Sequence, residues 1–538
     1  AIWRELVGFV KAAIESGNKR ERQNSEVLTM LLQTLKNIIL SKELPVLNSL
    51  PLLEVAIKEL PPKVLGSPAY QIADMDLLNG TPALFLVQLL FCEDLLKCGV
   101  ENRRFFSNYE TLVECVLSGP TSPLAFTESV LTIVSQNAMH LENKEYLWRM
   151  WSIMVNPLTE WIKQTNEVNQ GDALEHNFNA IYCALLLPVN YIFSSSEFPE
   201  LAMKTLLRSW SELYKAFARC ALLVATADDN LCGEELCAKI ISGLKDEAHL
   251  NQPMLEGLSH IIAVIVECIC FAPYDKRFLS AHKPPQTLVE WARRSKNPLG
   301  KLCSVMKLLI ILINSLKMLV SEKSDFEQLA PVAFVIVGIL QNIITRISLP
   351  SVIRAVLGFI AKPFTALYKK IESTNPSRTS PAFIFKCEKL LADSLTCLQS
   401  NYTATFDSCV LKEIFPLLSV MLLNKNRHIS SHAARFWNTT FGKEESLEYP
   451  EEFKTVLNKA KQKSILLLPA FESCDIIEGS STSYSDYTEN SQWGANISGI
   501  KVNPNGKRDS FLAQTGEPEE ESIDFNITPK KIKLEFSR

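Results

Sequence analysis

The sequence has few glycines for its length and lacks the glycine-rich loops that hold nucleotide phosphates. Only 19 of its 538 residues are glycine, and neither G-x-x-x-x-G-K-[ST] nor G-x-G-x-x-G occurs. The G-x-S-x-G elbow of many hydrolases is also missing. The sequence thus lacks the motifs on which nucleotide-dependent enzymes and serine hydrolases usually depend. We predict no enzyme, no catalytic residues and no cofactor.

Metal-binding patterns are scarce as well. The chain has 14 cysteines but no Cys-x-x-Cys pair, and the thiols lie in apolar helical stretches where they act as small hydrophobes. Only His428 and His432 share a helix face, and no nearby Cys or Asp completes a tetrahedral ligand set with them. We therefore predict no metal site, and cysteine usage of this kind favours a reducing compartment.

A global excess of basic charge is absent too. The chain carries 55 basic and 59 acidic residues, a net charge of -4. It therefore lacks the overall basic footprint of a DNA-coating domain. Contacts with phosphate groups would have to come from local clusters of Lys and Arg.

One uncharged stretch, residues 328–345, approaches the ~20 apolar residues that span a bilayer. It contains Pro331 and Gln341, and shorter runs of the same kind recur elsewhere. A helix buried on all sides has the same hydropathy, so we interpret the stretch as a core helix and predict no membrane contact. No signal peptide is visible, and the missing initiator Met leads us to interpret the chain as a fragment.

From residue 1 to 471 apolar residues recur at helical spacing for about 12 to 22 residues and are then interrupted by short breaks. Strict alternation is scarce, which argues against strands. About twenty helices fit this region, and a helix pair would occupy ~40 to 47 residues, as in HEAT and armadillo repeats. We predict an all-α, HEAT/armadillo-like solenoid, with irregular helical bundles as the alternative. Prolines such as Pro82, Pro123 and Pro157 are placed near predicted helix starts.

Residues 472–538 differ in composition from the helical region that precedes them. This segment is rich in Ser, carries a net charge of -5 and has no apolar periodicity, so we predict a disordered tail. Within it, Ser491 precedes Gln492 and Thr528 precedes Pro529, and both are predicted phosphorylation sites. The basic residues Lys530, Lys531 and Lys533 form a short stretch that resembles a nuclear-import signal.

Two basic clusters of the helical region are candidates for phosphate or partner binding. The first is Arg293, Arg294 and Lys296, and the second is Lys425, Arg427 and Arg435. A charge cluster is often only a solvated face. A solenoid, however, aligns successive helix ends along one wall, where scattered cations can bind phosphate or an acidic peptide.

Two blocks near residue 471 carry a resemblance to a known family. The first contains Phe436, Trp437, Asn438 and Phe441, and the second contains Leu468, Pro469 and Phe471. The blocks resemble the end of the helical-repeat domain of the telomere-associated Rap-interacting factor family, in its vertebrate form. The chain would then be part of the N-terminal HEAT-repeat domain plus the start of the disordered region.

The resemblance implies a nuclear, cell-cycle-regulated scaffold at telomeres and elsewhere on chromosomes. It implies roles in replication timing and in the choice of double-strand-break repair pathway, and binding to a phosphorylated chromatin adaptor at breaks. The family also recruits protein phosphatase one. The local motifs at 464–467 and 533–536 are degenerate, so we expect phosphatase docking outside this chain. Contact with the DNA backbone and self-association stay open, and the alternative is a nuclear transport or trafficking solenoid that binds folded cargo.

Overall fold

The computed structural model describes residues 1–16, 21–41, 43–72, 80–165, 168, 174–222, 230–244, 250–277, 297–322, 326–373 and 381–471. Twenty α-helices lie in these ranges, and no strand does. They are α1 Ile2–Glu15, α2 Glu21–Leu40, α3 Val46–Glu59, α4 Pro62–Leu65, α5 Pro82–Leu90, α6 Glu93–Gly99, α7 Arg103–Leu117, α8 Pro123–Asn137, α9 Lys144–Gln164, α10 Leu174–Tyr191, α11 Glu200–Ala221, α12 Leu231–Gly243, α13 Gln252–Cys268, α14 Cys303–Glu322, α15 Ala330–Arg346, α16 Pro350–Ser373, α17 Pro381–Asn401, α18 Ser408–Leu422, α19 Arg427–Thr439 and α20 Glu451–Lys463.

From α8 onward, most helices pack chiefly against the helix two positions further along the chain. The pairs α9–α11, α11–α13, α13–α15 and α15–α17 form one layer, and α12–α14, α14–α16 and α16–α18 form the other. Contacts between consecutive helices join the two layers. Each repeat is therefore a helix pair whose apolar faces are buried by the next pair, as in a solenoid. The predicted all-α solenoid is confirmed.

The predicted tail lies outside the described residues, and the boundary at 471 stays a prediction. Arg293, Arg294 and Lys296 also lie outside the described residues, and so do Ser491, Thr528, Lys530, Lys531 and Lys533.

Side-chain caps and N-terminal prolines begin many of the helices. Thr81 and Ser122 accept hydrogen bonds from the backbone N–H groups of Leu84 and Ala125, and each precedes a proline at the first helical position. Such a cap satisfies one of the N–H groups that has no partner inside the helix. The prediction that Pro157 begins a helix is wrong, because Pro157 lies inside α9. Burial of Met154, Val155, Leu158 and Thr159 on both sides of it keeps the helix continuous despite the missing N–H.

Among the described residues, two helical segments are long and apolar enough to cross a membrane by length and composition alone. They are Gly300–Glu322, which is α14 with the 3-10 turn before it, and Pro350–Ser373, which is α16. Their apolar windows are 61% and 56% buried against the rest of the fold. Residues 330–345 of the uncharged stretch lie in α15, where residues such as Ile336, Leu340 and Ile343 are buried. Packing between solenoid layers thus accounts for the hydropathy of these helices.

Candidate phosphate-binding face

A capped turn fixes the start of α19 and places the second basic cluster. Asn424 accepts the N–H of Asn426 at 2.9 Å, and Asn426 in turn accepts the N–H of His428 at 3.0 Å. The Asn426 amide also donates to Glu388 of α17 at 3.0 Å. These bonds tie the turn to the neighbouring repeat, so the residues that follow have a defined direction.

One side of α19 is buried and the other faces solvent. The buried residues are Ile429, Ala433, Ala434, Phe436 and Trp437. Arg427, His428, Ser431 and Arg435 are exposed, and His432 is partly buried beside them. Together with Lys425 in the preceding turn, these six residues form what we call the α19 face.

The cations of the α19 face differ in whether they have an acidic partner. Lys425 is 2.8 Å from Glu372 of α16, and its side chain is 83% exposed. An exposed pair of this kind is weak and can be opened by a competing anion. Arg427 and Arg435 make no ion pair or side-chain hydrogen bond with any other described residue. Both guanidinium groups therefore keep all their donors for a ligand.

His432 connects the α19 face to the end of α17. Its Nε2 lies 2.8 Å from Oε1 of Gln399. Burial lowers the pKa of His432, and the positive charges of Arg435 and His428 lower it further. An anion bound beside Arg435 and His428 would offset the part of the shift that these charges cause.

Lys276 lies close to the same end of α17. Lys276 Nζ is 3.5 Å from the carbonyl of Ser400, next to Gln399. Asp275 accepts the Ser348 hydroxyl at 2.8 Å and pairs with Arg277. These bonds fix residues 275–277, from which the segment holding Arg293, Arg294 and Lys296 continues outside the described residues.

Asn438 and Trp437, from the first family block, hold an extended segment that follows α20. The Asn438 amide donates to the carbonyl of Ile465 at 2.8 Å and accepts the N–H of Leu467 at 2.8 Å. The Trp437 indole donates to the carbonyl of Leu467 at 2.8 Å. The Asn438 side chain therefore both donates to and accepts from the segment's backbone, as a neighbouring β-strand would.

The second family block completes this closure. The Tyr449 hydroxyl donates to the carbonyl of Pro469 at 2.8 Å, and its ring meets that of Phe471 edge-on at 5.1 Å. Leu468 and Phe471 pack against the core, and Phe436, Trp437 and Phe441 are fully buried. The rings of Trp437 and Phe441 stack with their centroids 5.3 Å apart. The residues of the two family blocks thus pack together at the end of the helical region.

Within the described ranges, no group of three or more His, Cys, Asp or Glu side chains could hold a metal ion. The rings of His428 and His432 are 6.4 Å apart. Two imidazoles without a third donor are an incomplete set for zinc. Beside two free guanidinium groups, they are better suited to share hydrogen bonds with an anion.

The sequence predicted Lys425, Arg427 and Arg435 as one cluster and showed that His428 and His432 share a helix face. It did not show that His432 contacts Gln399 or that Lys276 contacts the neighbouring Ser400. The i, i+4 spacing of the two histidines was a usable signal, whereas the approach of Lys276 depends on a contact 124 residues away in sequence. Arg427 and Arg435 lie ~12 Å apart along the helix axis, a spacing that suits a segment with more than one acidic group.

A two-layer all-helical stack of this kind places the protein among the α-solenoids, which use extended surfaces to bind other molecules. Telomere-associated protein RIF1 from Gallus gallus is 56% identical over 541 residues, which cover 100% of this chain and 23% of that protein. The Homo sapiens protein of that name is 52% identical over 538 residues, covering 100% of this chain and 22% of its own length. The chain belongs to this family and spans less than a quarter of the length of these relatives, which confirms the resemblance.

The other similarities of this chain to known proteins are short or weak. A 74-residue stretch is 36% identical to the telomere length regulator protein rif1 of Schizosaccharomyces pombe and covers 14% of this chain and 5% of that protein. No protein-family model matches the chain. A solved structure from the computational design of self-assembling cyclic homo-oligomers is 12% identical, with a TM-score of 0.21; the match covers 60% of this chain and 96% of that one.

Proposed function

We propose that this chain is a non-catalytic nuclear scaffold that acts on chromosomes at telomeres, in replication timing and in the choice of double-strand-break repair pathway. It does so by binding phosphorylated segments of chromatin adaptor proteins. The telomere-associated names of its relatives support the location. The single observation that carries the binding mode is the pair of unpartnered guanidinium groups, Arg427 and Arg435, on the exposed side of α19.

The chemistry of the α19 face favours phosphate over a neutral ligand. Guanidinium groups bind phosphate through paired, charge-assisted hydrogen bonds. The N-terminus of α19 adds a partial positive charge close to Arg427 and His428. Lys425 can leave Glu372 for a stronger anion, since exposed ion pairs contribute ~0–1 kcal/mol. The face therefore offers several donors to a ligand with more than one negative charge.

A direct test uses a peptide of residues 485–498 phosphorylated on Ser491, together with its unphosphorylated twin, as probes of the α19 face. We expect the phosphorylated peptide to bind at least tenfold more tightly, because two charge-assisted hydrogen bonds contribute ~1.5–3 kcal/mol each. Exchange of Arg427→Glu and Arg435→Glu should abolish the difference. A matched control is Lys369→Glu, which reverses an exposed charge on α16.

The readouts separate this proposal from its competitors. Equal affinity for both peptides, with the melting temperature unchanged, would contradict phosphate recognition. A duplex DNA that binds with a steep dependence on salt would indicate backbone contact instead. Folded cargo that binds regardless of phosphatase treatment would favour the transport alternative. Protein phosphatase one is expected to dock on parts of the relatives that lie beyond this chain.

A further inference from the structure

The extended segment after α20 exposes two apolar side chains. Ile465 is 88% exposed and Leu467 is 50% exposed, whereas Leu466 between them is 8% exposed. This alternation is that of a strand with one face on the core and one face in solvent. The outer face of the segment therefore presents two apolar residues, spaced by one position, that the described part of the chain leaves uncovered.

The segment is held along only one backbone edge. Asn438 and Trp437 bind the carbonyls of Ile465 and Leu467 and the N–H of Leu467. In an extended chain the N–H and C=O of Leu466 point to the opposite side. No described residue forms a backbone hydrogen bond with them. Because the inner edge is fixed, this free edge is ordered in advance for pairing with a partner strand.

Two exposed lysines precede the apolar pair. Lys461 and Lys463 lie at the end of α20, and neither forms an ion pair with a described residue. Residues 461–467 thus read Lys-x-Lys-x-Ile-x-Leu, with all four of these side chains accessible. A complementary partner needs an acidic patch beside two neighbouring apolar pockets. Docking grooves of mitogen-activated protein kinases, which phosphorylate Ser or Thr before Pro, combine these two features.

The Ser-Pro and Thr-Pro pairs support this choice of partner. Four Ser or Thr residues before position 472 precede a proline: Ser67, Thr81, Ser122 and Ser380. The hydroxyl oxygens of Ser67, Thr81 and Ser122 accept backbone N–H groups at helix starts, and Ser380 lies outside the described residues. Thr81 is 1% exposed. Thr528 is the one residue after 471 that precedes a proline as Ser or Thr. Thr528 follows Leu467 by 61 positions on the same chain, so a kinase bound at residues 461–467 is tethered to its substrate.

We propose that residues 461–467 are a docking segment for a proline-directed, mitogen-activated protein kinase that phosphorylates Thr528. Ile465 and Leu467 enter the two apolar pockets, and Lys461 and Lys463 face the acidic patch. The γ-phosphoryl group of ATP then passes to Oγ of Thr528, the hydroxyl proton goes to the kinase base, and ADP leaves. Tethering makes the encounter with Thr528 intramolecular, so docking lowers KM more than it alters kcat.

The test measures initial rates of Thr528 phosphorylation by an activated mitogen-activated protein kinase with ATP and the 538-residue chain. Ile465→Ala and the pair Lys461→Glu with Lys463→Glu should each raise KM about tenfold or more and leave kcat unchanged. Leu201→Ala is the matched control, because Leu201 is 78% exposed on α11, far along the chain. Melting temperatures of all variants should equal that of the parent, since these side chains lie in solvent.

Three results would overturn the docking proposal. The first is the absence of phosphorylation at Thr528. The second is the same KM for the parent, Ile465→Ala and the lysine variants. The third is binding of the protein phosphatase one catalytic subunit that depends on Ile465 while the kinase KM does not, since the segment would then serve a phosphatase. Neither result bears on phosphopeptide binding at the α19 face, which is measured with Arg427→Glu and Arg435→Glu.

Discussion

The indole of Trp151 in α9 donates its N–H to the backbone carbonyl of Ala184 in α10 at 2.7 Å. Pro188 lies inside α10 and has no N–H for that carbonyl, four residues earlier. Trp210 of α11 supplies a second indole N–H, to the carbonyl of Leu185 at 2.9 Å. Side chains from two flanking helices thus satisfy the carbonyls around the proline, which explains how a buried helix tolerates it.

This relationship predicts coupling between Trp151 and Pro188. Trp151→Phe should destabilise the central repeats by ~1–3 kcal/mol, because it leaves the Ala184 carbonyl buried without a donor. In a Pro188→Ala background the helix regains its own N–H, so the same change should cost less. Hydrogen exchange of α9 and α10 in the four proteins of this double-mutant cycle measures the difference. Identical costs in both backgrounds would mean that the indole bond does not replace the helical one.

A close approach predicts that Gly257 tolerates no side chain. A Cβ on Gly257 of α13 would lie 2.6 Å from the ring of Phe193, which is fully buried. Gly257→Ala should therefore lower the melting temperature, with a cost of ~1–3 kcal/mol from overpacking. The change Phe193→Leu in the same protein should recover part of the loss. If Gly257→Ala alone melts like the parent, the ring can move aside and the predicted clash is wrong.

We expect Asn438 to hold the extended segment that follows α20, residues 464–471, in place. Asn438→Ala removes both 2.8 Å bonds to residues 465 and 467, and these bonds contribute ~0.5–1.5 kcal/mol each. Hydrogen exchange and limited proteolysis at 464–471 should both become faster, while α13 to α16 stay unchanged. Thr439→Ala, at the next and more exposed position, serves as the control. Equal protection of the segment in both variants would assign its order to Tyr449 and the apolar contacts instead.

Periodicity and proline positions predicted the helices well because helical burial is a local pattern. Spacing alone could not place Pro157, since the deciding factor is tertiary burial of Met154 and Leu158 around it. The cations Arg427 and Arg435 were found because they are close in sequence. The bond from Asn438 to Leu467 joins residues 29 positions apart, and the approach of Lys276 to α17 spans far more. Contacts of this kind follow from how repeats stack, which a single sequence does not encode locally.

The histidines predict a pH dependence of phosphate binding. Burial and the neighbouring charges of Arg435 and His428 hold the pKa of His432 below its usual range in the free protein. A bound phosphate stabilises the imidazolium and raises that pKa, so binding takes up a proton. Affinity for the Ser491 phosphopeptide should therefore rise as pH falls from 7.5 toward 5.5. His428→Gln with His432→Gln should flatten the profile, and a profile that stays steep would exclude the histidines from the site.

The stability of the fold should depend on pH in the opposite direction from phosphate binding: His432 makes the fold less stable as the pH falls. Because its folded-state pKa is lowered, the neutral form is favoured in the fold, and its contribution to stability is present above the unfolded value of ~6.5. That contribution is lost as the pH falls through the lowered folded-state pKa. Thermal unfolding of the parent and of His432→Gln across this range checks the sign, and a parent that gains stability over the variant on acidification would contradict it.

The most direct test of the account is a pull-down from nuclear extract with the parent chain and with the Arg427→Glu, Arg435→Glu variant, before and after phosphatase treatment of the extract. The account predicts that chromatin adaptor proteins are retained by the parent only from untreated extract, and by the variant from neither. Retention that survives phosphatase treatment, or that the variant shares with the parent, would contradict phosphate recognition at the α19 face.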